Sequence, residues 1–119
     1  MRVFGDVPLT TDVIDAEGAA SIARSPKSEV YAQIINDLKA ADTLLTNTVS
    51  GADKGRATAG SAKGLLAAVY LTLGDKNNAA AWAKDVIDHA SLFGYGLWDD
   101  YADNFNLDKE NGKESLFEV

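Results

Sequence analysis

Residues 62–90 read AKGLLAAVYLTLGDKNNAAAWAKDVIDHA, and this stretch decides the fold. Leu65, Leu66, Val69, Tyr70 and Leu73 recur at the three-to-four spacing of one helix face. Ala79, Trp82, Ala83, Val86, Ile87 and Ala90 do the same after the break at Gly74-Asp75. Gly74 enters the left-handed conformation that closes a helix at little cost, and Asp75 can cap the next one. So short a turn makes the two helices antiparallel neighbours, spanning about Thr58–Leu73 and Lys76–Ala90. Gly60 and Gly64 in the first turns predict a close helix–helix approach, where a side chain would collide.

Upstream, Ser25 is the expected N-cap and Pro26 the first residue of a helix running to about Leu45. Val30, Tyr31, Ile34, Ile35, Leu38, Ala41, Leu44 and Leu45 form its expected buried stripe. Phe4 to Ala23 reads as extended or loop, with a short helical turn over Ala16–Ile22. Residues 46–57, TNTVSGADKGRA, are an aperiodic loop. After the hairpin comes SLFGYGL (91–97), an aromatic and glycine-rich loop. Asp99 is the expected cap of a turn holding Tyr101 and Phe105, and Leu116 to Val119 reads as a short strand.

The expected class is therefore all-α. On the tetratricopeptide scheme, Tyr70 and Gly74 place Leu66 and Ala67 on the leucine and small-residue positions. Ala79 falls on the small residue of the second helix. Ala67 and Ala79 would let the helices cross closely, with Tyr70 filling the groove. Tyr70, Gly74, Asp75, Ala67 and Ala79 are thus the candidate structural positions. One such hairpin buries only part of its surface and needs neighbours. The reading is a single unit over 1–119: an extended segment (1–24), a helical repeat core (25–90), then an aromatic loop and strand (91–119). Both ends look cut, which points to a piece of a longer protein.

The net charge of −7 repels phosphate backbones, so no nucleic-acid partner is expected. With no cysteine there are no thiolate metal sites or thiol nucleophiles. Gly55 to Gly60 has the glycine spacing of a phosphate loop. Ser61-Ala62 stand where Lys and Ser/Thr are required, however, and Lys63 is displaced. His89 is the lone histidine and would pair with Asp85 rather than act in catalysis. Asp99, Asp100, Asp103, Asp108 and Glu110 lack calcium-loop spacing and read as a solvated loop. No catalytic residue, metal site or cofactor is expected. Among the clustered aromatics Tyr95, Trp98, Tyr101 and Phe105, the candidate ligand-binding residues are Tyr95 and Trp98, which could stack on sugar faces. Packing over the helical layer is the alternative for all four.

Several stretches together resemble the SusD/RagB family of Bacteroidetes. They are FGDVPL (4–9), Arg24 with EVY (29–31) and IINDL (34–38), GRAT (55–58), AKGLLA (62–67), VYLTLGD (69–75), YGL (95–97), DYADNF (100–105) and ESLFEV (114–119). Their order and spacing carry the likeness more than any single motif. The resemblance implies a non-catalytic, tetratricopeptide-like scaffold within a longer, lipid-anchored outer-membrane protein. It also implies a TonB-dependent, SusC-like transporter as partner and a glycan or other nutrient as ligand, bound mainly by segments outside these residues. A generic tetratricopeptide scaffold for protein partners is the alternative. This stretch itself shows neither a signal peptide nor a lipidated cysteine and reads as soluble.

Overall fold

The computed structural model describes residues 5–117. The helices are α1 (Ala16–Ser21), α2 (Lys27–Leu44), α3 (Ala59–Leu73), α4 (Lys76–Asp88) and α5 (Ala90–Phe93). Three 3-10 turns cover Gly51–Asp53, Tyr101–Phe105 and Leu107–Lys109. The fold is all-α, and no strand occurs among the described residues. The chain divides into two compact units, Met1–Asn36 and Asp37–Val119.

In the first unit Val7 and Ser25 form an isolated antiparallel bridge, with the Ser25 N–H donating to the Val7 carbonyl at 3.0 Å. Ser25 is thus engaged through its backbone, and the expected capping role passes to others. The Pro26 carbonyl accepts the first helical bonds, from Glu29 and Val30. Asp6 Oδ1 accepts from the Lys27 N–H at 2.9 Å, one of the helix's orphan donors. Asp15 caps α1 by accepting from the Gly18 N–H at 2.7 Å.

In the second unit α3 and α4 are the most extensively packed pair of elements. Thr58 and Ser61 form a reciprocal capping box at the start of α3. Gly74 closes it at φ 81°, ψ 4°, and the Asp75 N–H donates to the Tyr70 carbonyl at 3.0 Å. Asp75 then caps α4, accepting from the Asn78 N–H at 3.0 Å and the Asn78 side-chain amide at 2.6 Å. Those bonds hold the Asp75 carboxyl below the usual carboxylate range. Leu66 is fully buried, Ala79 is buried, and Ala67 and Tyr70 are half-buried.

Lys63, the one charged residue of α3, is central to this unit. Its Nζ lies 3.1 Å from Asp42 Oδ1 on α2, 2.7 Å from Asp85 Oδ2 on α4, and 5.0 Å from the centre of the Trp82 ring. Burial works against its charge, but hydrogen bonds to Asp85 and Asp42 outweigh it and raise the ammonium above the ordinary lysine range. The Lys63 hydrogen bond in turn holds Asp85 below the ordinary carboxylate range.

Some expected core positions face outward. Leu44 is 82% exposed, because the end of α2 presents the half-buried Asp42 to Lys63 and Leu44 lies about 200° further round the helix. Leu45 lies beyond the helix end and is exposed, as are Leu65 and Leu73 on α3. Ile87 is 72% exposed, since the last turn of α4 brings Asp85 and Val86 inward instead. That helix ends at Asp88 rather than Ala90. His89 leaves helical geometry while its Nδ1 stays 3.0 Å from Asp85 Oδ1, and α5 follows. The expected terminal strand is not formed at Leu116 and Phe117, which bend; Glu118 and Val119 lie outside the described residues, as does Phe4.

The left-handed cap makes Gly74→Val destabilising by about 1–2 kcal/mol, because a β-branched residue resists positive φ. Urea unfolding checks this, and an unchanged midpoint would contradict it. The charge cluster sets a pH window. The lowered Asp85 contributes stability above its unfolded pKa of about 3.9 and loses it as pH falls through the folded value. The raised Lys63 contributes below about 10.4 and loses it as pH rises through its folded value. Thermal midpoints should therefore hold between these limits and fall beyond each, and Lys63→Met should flatten the alkaline limb.

Candidate functional site

The segment after α5 folds back over the start of α3. Gly94 adopts φ 74°, which turns Phe93 and Tyr95 toward Gly60. A methyl group on Gly60 would lie 2.6 Å from Tyr95 Cε2 and 2.9 Å from Phe93 Cγ. The close approach expected from the α3 glycines is therefore made at Gly60 by the Phe93 and Tyr95 side chains rather than by the partner helix of the hairpin. Gly64 faces Leu116 at ordinary contact distance. The Phe93 and Tyr95 rings sit 5.8 Å apart. The Tyr95 hydroxyl lies 2.9 Å from Thr58 Oγ1 and donates to the Leu116 carbonyl at 3.3 Å. The cap of α3 is in this way tied to the loop.

Trp98 is held differently. Its ring carries Lys109 Nζ at 4.8 Å and Lys113 Nζ at 4.7 Å, in cation–π contacts. Its N–H backbone group donates to Glu114 Oε1 at 3.1 Å, and Gly112 packs so closely that a Cβ there would meet the ring at 2.7 Å. Asp103 pairs with Lys109 at 2.6 Å. Asp100, not Asp99, caps the Tyr101–Phe105 turn by accepting from the Ala102 N–H at 2.9 Å, since the turn starts one residue later than expected. Tyr101 and Phe105 form an edge-to-face pair at 5.4 Å, and both are largely exposed.

Two cavities flank this loop. One, of about 340 Å³, lies between the 48–58 loop and the returning chain; Phe93, Tyr95 and Phe117 supply aromatic walls. The other, of about 430 Å³, is lined by Trp98 and Phe105 with Asn104, Asn106, Glu110 and Glu114. The candidates Tyr95 and Trp98 thus border different cavities. The structure adds Phe117 and Phe105, whose placement depends on how the chain returns past α3. Aromatic faces beside amide, hydroxyl and carboxylate groups suit polyhydroxylated ligands.

Lys63 points to Asp42 and Asp85, away from the glycine loop. Among the described residues no three histidine, aspartate or glutamate side chains converge as a metal site, and no helix is long and apolar enough to cross a membrane.

Residues 1–71 match the family model described as starch-binding, associating with outer membrane, of the SusD-like group. SusD-like protein P2 of Formosa agariphila is 38% identical over 122 residues, covering 100% of this chain and 24% of its own. A SusD-like protein of Bacteroides ovatus is 33% identical, over 98% of this chain and 22% of its own. Among solved structures, a laminarin-binding SusD-like protein superposes with TM-score 0.89 at 36% identity, covering 96% of this chain and 25% of its own. A structure determined with a xylogluco-oligosaccharide gives 0.77 at 32%, covering 98% and 25%. The chain spans about a quarter of the length of these relatives. With the family model matched over more than half of this chain and a relative 38% identical along its whole length, the chain belongs to the SusD-like family.

Proposed function

We propose that these residues form a non-catalytic scaffold portion of an outer-membrane glycan-binding lipoprotein that works with a TonB-dependent, SusC-like transporter in polysaccharide uptake. The observation that carries this reading is the superposition, at TM-score 0.89, on a protein described as laminarin-binding. The structure solved with a xylogluco-oligosaccharide supports the same ligand class. The helical core positions the loop, and the loop presents Tyr95 and Trp98 at the edges of its two cavities. Most ligand contacts come from polypeptide beyond this quarter of the length. The family description supports an outer-membrane location; the lipid anchor and the transporter partner are carried by the family resemblance alone.

Isothermal titration of the intact protein with laminari- and xylogluco-oligosaccharides, with assay of new reducing ends, tests binding and the absence of catalysis together. The expected result is saturable binding to a glycan with no new reducing ends. Binding to no glycan, or turnover by the purified protein, would overturn the reading. Co-purification with a TonB-dependent transporter from outer membranes checks the partner, and its repeated failure would remove that part alone.

A further inference from the structure

The two cavities differ in charge, and the difference runs against the chain as a whole. The sequence has 18 acidic and 11 basic residues. Yet the 340 Å³ cavity is lined by Lys54, Arg56 and Lys113, and by no aspartate or glutamate among the described residues. The neighbouring cavity sets Lys109 against Glu110 and Glu114. Of the three cations, Arg56 uses Nε on Asp53 at 3.0 Å, which leaves the guanidinium's outer N–H groups uncommitted by that bond. Lys113 stands against the Trp98 ring, which attracts its charge without cancelling it. Lys54 has no carboxylate within ion-pair distance among the described residues.

Other lining groups match the rest of a sugar. Ser115 offers a hydroxyl, and the half-exposed Phe117 offers an apolar face for a ring's C–H side. We propose that this cavity is a binding site for an acidic sugar unit, its carboxylate or sulfate held by Lys54 with Arg56. This rests on the glycan-binding reading and narrows it to an anionic ligand at this cavity. A carboxylate or sulfate gains charge-assisted hydrogen bonds from the two cations. The same anion in the second cavity would meet Glu110 and Glu114.

The test is titration of the intact protein with three probes: a galacturonate oligosaccharide, a sulfated carrageenan oligosaccharide and a neutral laminari-oligosaccharide. At least one acidic probe should bind, more weakly as salt is raised. Lys54→Gln should weaken it about tenfold, the size of one charge-assisted hydrogen bond, and Lys54→Arg should retain it. Thermal unfolding should be unchanged by Lys54→Gln, whose side chain is exposed. Which acidic probe responds separates carboxylate from sulfate. Binding of the neutral probe alone, or an acidic affinity indifferent to Lys54, would overturn this site while leaving glycan binding standing. Binding of none of the three would overturn this site, and failure to bind any glycan at all would remove the glycan-binding reading as well.

Discussion

Lys63 is the point on which the second unit depends. Its helix carries no other charge from Ala59 to Leu73, so this ammonium is the helix's one ionic tie to its neighbours. One ammonium reaching Asp42 on α2 and Asp85 on α4, over the face of the Trp82 ring, ties the helix to both neighbours. The Lys63 side chain is only 16% exposed and Asp42 18%, so the bridge lies between two regimes. An exposed pair contributes about 0–1 kcal/mol, whereas removing one partner of a buried pair costs about 3–5 kcal/mol. Desolvation offsets much of the attraction. The main consequence is therefore positional: within the second unit the end of α2 that carries Asp42 is held with α3 and α4, and the loop that folds over Gly60 meets a fixed surface.

That surface explains the site. Gly60 leaves room for Phe93 and Tyr95, and the Tyr95 hydroxyl reaches the Thr58 cap. The returning chain is then held by Trp98 with Lys109 and Lys113. The cavities on either side inherit their shapes from these contacts and their different charges from the residues the loop brings to each. Loops positioned by a rigid scaffold are the usual place for binding residues.

The sequence made the local features readable. Gly74 and Asp75 announce a turn because cap geometry is decided within a few residues. The helix periods locate α2, α3 and α4 to within about two residues. Family membership is legible in the order of short motifs from Phe4 to Val119. Less readable was everything set by distant partners. Lys63 looks like a misplaced lysine in a failed phosphate loop, because its carboxylates lie 21 and 22 residues away. Tyr95 and Trp98 stand together in sequence yet border separate cavities, because the chain turns between them. The outward Leu44 and Ile87 break the apolar stripes because aspartates at the helix ends turn inward to meet the lysine.

The most direct test of this dependence is a double-mutant cycle between Lys63→Met and Asp42→Asn, read by urea unfolding. The account predicts that each single change is destabilising and that the double variant loses less than the sum, by about 1 kcal/mol or more. Strictly additive losses would show that the lysine does not hold α2 to α3, and the positional role assigned to it would fall.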